Sequence, residues 1–196
     1  MKALVVGYGL SGKSAKKLLK KMGYKVIVIE DDKSEKYYKM RDSLFIGLSL
    51  IVVSPAVMPD SDIIVRAKEN NIRVVGEFEL GSNQVFGDMV AITGTNGKTT
   101  TTTLTYEIIK SEYKSSFIGG NIGIPVSSFA FKTTTKSKTV LEASSFQLDT
   151  IEKFKPHIAV ILNITPDHLN YHKSMENYVK AKLNIFKNQD EKDLQN

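Results

Sequence analysis

Short apolar runs that end in glycine turns, each followed by a segment of helical periodicity, set the strongest limit on what this chain can fold into. Residues 3–6 are apolar and lead into Gly7-Tyr8-Gly9-Leu10-Ser11-Gly12. Ala15, Leu18, Leu19 and Met22 follow at helical spacing, with Lys16, Lys17, Lys20 and Lys21 on the wet face. Gly23 is placed to stop that helix, and Lys25-Val26-Ile27-Val28-Ile29 reads as a second strand, fully covered, ending at Glu30-Asp31-Asp32. A strand, helix, strand unit of this kind calls for parallel pairing, because only a crossover brings the chain back in the same direction. Residues 50–53 form a further strand ending at Ser54-Pro55, 60–70 a helix capped by its acidic start, and 72–75 another strand.

The pattern weakens over 76–88, where Gly81, Ser82, Asn83 and Gly87 gather, and then a new strand at 89–93 opens a second unit. This places a domain boundary at 88/89. A helix is expected after Lys98, strands near Phe117-Ile118, over 139–141 ending at Glu142, and over 158–162 ending at Asn163, and a helix over 174–186. The fold class is α/β: a Rossmann-like parallel-sheet N-terminal domain (1–88), followed by part of a P-loop-type α/β central domain (89–196). Open sheets of this class bind ligands in the loops at the carboxyl ends of their strands. The polar tail 188–196 gives no hint of another element.

The two glycine turns differ in what they specify. Gly7-x-Gly9-x-x-Gly12 stands between strand and helix, where glycines allow a tight turn and let a phosphate approach a helix N-terminus. Glu30, 18 residues after Gly12, is near the spacing at which a carboxylate meets a ribose hydroxyl. A nicotinamide or flavin nucleotide fits these residues, and so does simple close packing of helix on strand. Gly94-Thr95-Asn96-Gly97-Lys98-Thr99-Thr100 is sharper, because backbone N–H groups, the helix dipole and a lysine converge on one point. Lys98 is placed to neutralise β and γ phosphates and Thr99 to ligate Mg2+. The common P-loop spacing asks for glycine at position 92, where this chain has Ile92, so the loop is two residues short.

That short form resembles the ATP loop of the Mur ligases and folylpolyglutamate synthases. Gly119-Gly120-Asn121-Ile122-Gly123, Glu142-Ala143-Ser144-Ser145-Phe146-Gln147-Leu148, Asn163-Ile164-Thr165-Pro166-Asp167-His168-Leu169 and Lys180-Ala181-Lys182-Leu183-Asn184-Ile185 follow in order, and each looks like a Mur-ligase block. With the first glycine loop and Ser54-Pro55, they are most similar to the branch that adds D-glutamate to UDP-N-acetylmuramoyl-L-alanine; the branch that adds L-alanine to the muramate is the close alternative. The resemblance implies an ATP-dependent amide ligase of peptidoglycan precursor synthesis, proceeding through an acyl phosphate. It implies that the first domain binds UDP rather than a dinucleotide, with Gly9, Leu10 and Ser11 near the diphosphate, Asp31 and Asp32 near the uracil, and Ser54 and Pro55 lining the cleft. Asn121 and Gln147 are implied substrate contacts. Lys98, Glu142, His168 and Lys182 are the implied catalytic residues. Two Mg2+ ions are implied, one on Thr99 and Glu142, the other on His168 and a carbamate of Lys182. Relatives continue well beyond the length of this chain, so the C-terminal ligase domain is expected to lie outside it.

Duller readings of the same residues are a helix cap for His168, a strand-end carboxylate for Glu142, a surface amine for Lys182, and backbone hydrogen bonds for Asn121 and Gln147. Asn170 stands where relatives often carry an aspartate, which would alter the support of His168. Residues 31–53 form a shorter segment than in familiar relatives, which bears on the uracil side. The net charge of +6 comes from lysines scattered along the chain rather than gathered with aromatics, so nucleic acid is not the expected partner. No apolar run is long enough to span a membrane and there is no cysteine, which points to a cytoplasmic protein stabilised by packing alone. A non-catalytic nucleotide-binding module fused to a P-loop domain is the competing function class.

Overall fold

The structure, a computed structural model, describes residues 1–31, 37 and 43–195. Asp32, an expected uracil contact, lies outside the described residues. Two parallel sheets follow one another along the chain. The first has the order β2-β1-β3-β4, with β1 (Lys2–Val6), β2 (Lys25–Ile29), β3 (Leu48–Val53) and β4 (Arg73–Gly76). Its register aligns Ile29, Val6, Val53 and Gly76 in one row. The residues that follow, from Glu30, Gly7, Ser54 and Glu77, therefore line a single edge in that order. β1 and β3 are central and almost wholly buried, as their unbroken apolar runs require. β2, read from sequence as fully covered, is an edge strand and mostly half-buried, because its apolar run alone cannot tell edge from centre.

α1 (Leu10–Lys21) packs Ala15, Leu18 and Leu19 on one face of this sheet, against Ala3, Val5, Leu50 and Val52. α2 (Asp62–Glu69) covers the other face through Ile63, Ile64 and Ala67, beside Leu4, Val6, Ile51 and Val53. The expected acidic cap of α2 is not what the structure shows. Ser61 occupies the capping position without a side-chain hydrogen bond, and Asp62 instead accepts from the Tyr37 hydroxyl.

The stretch expected to be a linker is in part a helix. α3 (Glu77–Ser82) has all six residues buried, and it joins the two halves. Leu80 sits in the core under the first sheet, while Phe78 sits in the core of the second and meets Phe154 edge-on at 4.9 Å. Glu79, fully buried, accepts from the amides of Lys153 (2.8 Å) and Phe154 (3.1 Å) and from Asn83 Nδ2 (2.6 Å). Glu77 accepts from the amide and the hydroxyl of Ser127, and that hydroxyl also lies 2.9 Å from Ser14 Oγ of α1. Buried carboxylates persist only when hydrogen-bonded, and here the donors other than Asn83 come from the other half of the chain.

The second sheet has the order β6-β7-β5-β8-β9, with β5 (Asp88–Thr93), β6 (Ser116–Gly120), β7 (Lys138–Glu142), β8 (Ile158–Ile161) and β9 (Leu194–Gln195). β9, in the tail expected to hold no element, pairs with β8. α4 (Lys98–Glu112) follows β5 and packs on β5, β6 and β7. Opposite lies a core of Phe78, Met89, Val126, Leu141, Leu148, Phe154 and Ile185, contributed partly by α5 (Ser145–Leu148) and by the 3-10 turn Asn184–Phe186 that ends α7 (Met175–Leu183). α6 (Leu169–His172) precedes α7. Among the described residues no helix is long and apolar enough to cross a membrane.

The seam yields a stability prediction. Glu79→Ala removes the acceptor of the buried Phe154 amide and of the part-buried Lys153 amide, so it should lower unfolding free energy by about 2–4 kcal/mol. Glu79→Gln, which keeps one acceptor oxygen, should lose less. Urea midpoints of the three proteins check the order.

Candidate functional site

The turn between β5 and α4 is held from below by the loop after β8. Gly97 takes φ +81°, in the left-handed region that favours glycine, and this turns the chain into α4. Thr95 N donates to Asn163 O at 3.0 Å. The Asn163 side chain brackets Asn96, accepting from its N at 2.9 Å and donating to its O at 3.1 Å. Thr95 Oγ1 donates to Thr165 O (3.1 Å), accepts from Thr165 N (2.9 Å) and lies 3.0 Å from the Tyr178 hydroxyl. The amides of Thr95 and Asn96 are thus engaged within the protein. The donors left for an anion are those of the first turn of α4, Lys98, Thr99 and Thr100, which have no intrahelical partner. Lys98 Nζ folds over the turn and donates to Thr95 O at 2.7 Å.

Glu142 ends β7, one strand away from the loop, and is 1% exposed. Its register partners are Ile92 and Gly120, which puts the carboxylate between the phosphate turn and the loop that begins at Asn121. Thr99 Oγ1 donates to Glu142 Oε2 at 2.7 Å, and Asn121 Nδ2 donates to Oε1 at 2.8 Å. Asn121, expected on the substrate side, therefore orients the carboxylate. A hydroxyl and a carboxylate side by side are the hard oxygen donors that Mg2+ takes. Among the described residues no three His, Cys, Asp or Glu gather, so a cation here would draw its other ligands from phosphate and water.

Lys182 is 2% exposed, and its amine donates to Gly94 O at 2.7 Å and to Thr93 Oγ1 at 3.5 Å. Burial and the neighbouring Lys98 cation push its pKa down to about 8, against the opposing pull of Asp167. It is not a surface lysine. His168 takes φ +52° at the start of α6 and makes no capping bond. Its ring lies 4.8 Å from Phe146, with Nε2 3.4 Å from Asp167 Oδ2. Asp167 thus supplies a carboxylate beside His168 from the preceding position, independently of Asn170.

Tyr178 and His172 were not singled out in the sequence. The Tyr178 ring carries the Lys182 amine at 4.8 Å and lies edge-on to His168 at 6.4 Å, while its hydroxyl meets Thr95. One side chain so joins the phosphate turn, Lys182 and His168. Tyr178 sits one helical turn before Lys182, and that spacing is the one available signal. His172 is buried, stacks on Phe146 and lies 2.9 Å from Ser145 Oγ; burial lowers its pKa.

On the first sheet, Ser11, Ser54 and Pro55 line one cavity of about 270 Å³ together with Gln147 and Phe146 of α5, Tyr171 and Glu77. Gln147 Oε1 accepts from Ser144 N (3.0 Å) and Ser144 Oγ (3.2 Å), closing a capping box at α5. Gly9 precedes α1, and Leu10, 62% exposed, begins it. Asp31 is exposed beyond the end of β2. Gly12 has a packing reason, since a Cβ there would lie 1.9 Å from Gly7 O.

Residues 92–195 match the family model described as the Mur ligase middle domain. The chain is 46% identical, over 98% of its length, to the UDP-N-acetylmuramoylalanine--D-glutamate ligase of Lachnoclostridium phytofermentans, and 44% identical over 98% to that of Koribacter versatilis. It spans about half the length of these curated relatives, 46% in each case. Among solved structures, the UDP-N-acetylmuramate:L-alanyl-gamma-D-glutamyl-meso-diaminopimelate ligase from Neisseria meningitides superposes with a TM-score of 0.59 at 15% identity, covering 99% of this chain and 70% of that one. The MurF ligase from Thermotoga maritima in complex with ADP gives 0.50 at 22%, covering 83% and 40%. At such identities the structural likeness speaks for the fold alone.

Lys182 makes a pH prediction. Folded, its pKa is near 8 against an ordinary 10.5, so between these values the unfolded chain binds more protons than the folded one. Stability therefore rises as pH climbs from about 8 to 10.5, by an amount on the order of 2–3 kcal/mol. Lys182→Met should remove that rise. Parallel denaturation series of both proteins, in CO2-free buffer, measure it.

Proposed function

This chain belongs to the Mur ligase family, and from that membership we propose that it supplies the nucleotide-binding half of an ATP-dependent amide ligase of peptidoglycan precursor synthesis in the cytoplasm. The proposed acceptor is UDP-N-acetylmuramoyl-L-alanine and the proposed amine D-glutamate, the substrates for which the relatives are named. The first sheet takes the UDP moiety and the second takes ATP, so that the boundary between the binding units falls near residue 88. The observation that carries the reading is the pairing of Thr99 with buried Glu142 beneath a helix N-terminus, with Lys98 alongside.

In the proposed reaction an acceptor carboxylate oxygen attacks the γ phosphorus of ATP and ADP leaves, giving an acyl phosphate. The amine nitrogen of D-glutamate then attacks the acyl carbon, and the tetrahedral adduct expels phosphate and loses a proton. The chain's part is positioning and charge. The leading amides of α4 and the Lys98 ammonium hold the polyphosphate, which costs little reorganisation because the turn is already fixed by Asn163 and Thr165. Asn121 fixes the carboxylate plane of Glu142.

Mg2+ held by Thr99 and Glu142 would screen the repulsion between an anionic acceptor and ATP. For a second ion the set His168 and Lys182 fits only after Lys182 loses its charge, since an ammonium is no ligand. We place a carbamate there: the neutral amine adds to CO2, and a carboxylate-like group and a proton result. A pKa near 8 leaves an appreciable neutral fraction for that step.

Calorimetric titration of the chain with UDP, NAD and Mg-ATP tests the reading. UDP and Mg-ATP should bind and NAD should not; NAD binding without UDP binding would overturn it. Lys98→Met and Glu142→Gln should each weaken Mg-ATP by roughly ten- to a hundredfold, leaving UDP affinity unchanged.

A further inference from the structure

A second cavity, of about 320 Å³, shares no lining residue with the one at Ser11 and Ser54. It lies where α1 meets two 3-10 turns of the second half, Val126–Ser128 and Ala130–Lys132. Leu18 and Pro125 give it apolar lining, and Phe131, still 43% exposed, adds an aromatic wall. Lys13, Lys17 and Lys21 line it from α1 and Lys132 from the turns opposite. Lysines on an outward helix face are ordinary, and Lys20 of the same helix is one. Lys13, Lys17 and Lys21 instead recur at every fourth position, so they share the face turned to the second half. Lys21 Nζ lies 5.7 Å from the centre of the Phe131 ring, reaching across the joint. No Asp or Glu lines the cavity; Glu77 stands behind Ser127, its charge engaged by both Ser127 donors. Among the described residues none of the four lysines has a carboxylate in ion-pair reach, whereas Lys110, Lys138 and Lys155 each have one. Four ammonium groups thus face one concavity from both halves of the chain, and the fold supplies no counter-charge there. Beside apolar lining such charges are screened less than on an open surface.

We propose that this cavity binds a polyphosphate, free or esterified, at a site separate from both nucleotide sites. The stems of Lys13, Lys17 and Lys21 leave α1 over about 12 Å, a span that a chain of phosphates matches and a single phosphate does not. An acidic helix would match the same spacing, but with its side chains it is about 10–12 Å across. The cavity, closed opposite α1 by the turns, is too small to take one, and its volume is that of a small-molecule site. Lys17 and Lys21 stand about 10 and 16 Å along the helix axis from Leu10, which begins α1. A ligand held by them is therefore clear of the helix N-terminus assigned above to a diphosphate. It touches α1 of the first half and the turns of the second at once, and so adds to the joint that Glu77, Ser127 and Ser14 make.

Amide resonances of the isotope-labelled chain, titrated with tripolyphosphate at constant ionic strength and without Mg2+, test the assignment. The amides of Lys17, Lys21, Ser128 and Lys132 should shift saturably. The double variant Lys17→Gln, Lys132→Gln removes one exposed lysine from each half and should fold as the wild type does. In it the affinity read at the cavity amides should fall about tenfold or more, while any response of the amides of Lys98, Thr99 and Thr100 stays unchanged. No saturable shift at the cavity overturns the proposal, and so does an equal affinity of wild type and variant. Equal losses at the cavity and at the phosphate turn overturn it too, as a general effect of net charge. Tighter binding of a hexaglutamate peptide than of tripolyphosphate overturns it in favour of an acidic chain. GTP arms of the same titration separate the two sources of the phosphate: tighter binding of GTP at the cavity supports an esterified ligand with its ring on Phe131, and tighter binding of tripolyphosphate a free one.

Discussion

Two carboxylates on one six-residue helix tie the two halves together, and the placement of one sheet's site residues relative to the other's depends on them. Glu77 and Glu79 point from the first half into donors of the second, with Phe78 between them filling the second core. A buried carboxylate without donors is expensive, and a buried amide without an acceptor likewise, so neither half presents this surface comfortably alone. The seam therefore fixes the angle at which two parallel sheets present the carboxyl ends of their strands. Ser11 and Ser54 from one sheet and Gln147 from beyond the other come to line the same cavity for this reason.

That arrangement explains why the site needs few residues of strong chemistry. Parallel register sets Gly120, Glu142 and Ile92 in one row of the second sheet, and the loops that follow hold Asn121 and the phosphate turn beside one carboxylate. The turn is braced by Asn163 and Thr165 from the loop after β8, so the leading amides of α4 are held in place before any ligand arrives. Preorganisation of this kind moves the cost of ordering the loop from binding into folding.

Much of this was legible in the sequence, and each exception has its own physical cause. Strands β1, β3, β5, β7 and β8 could be read because each apolar run ends at a glycine, serine, glutamate or asparagine that turns the chain. The phosphate turn was legible because its chemistry is local. α3 was not, because a helix buried on all sides has no amphipathic period, and Gly81 and Ser82 inside it read as loop. β9 is too short to carry a period. The covered appearance of β2 misled because an apolar run does not record where a strand sits in its sheet. Tyr178, Glu77 and Asn163 act through partners 83, 50 and 67 residues away, and no local pattern announces such pairs.

Lys182 shows the same division between local pattern and tertiary setting most clearly. By composition it is one of 27 basic residues, and by spacing it is a helix-face lysine. Its setting, under the turn, against Gly94 O and the Tyr178 ring and near Lys98, gives it a different chemistry. Two ammonium groups and a helix N-terminus converge on one small volume, which concentrates positive potential where a polyphosphate would bind. The fold tolerates this repulsion because the lysine can shed its proton near pH 8, and a bound polyanion relieves it without that loss. A residue that weakens the ligand-free fold is thereby the one most responsive to the ligand, and a chain that needed only stability would not keep it there.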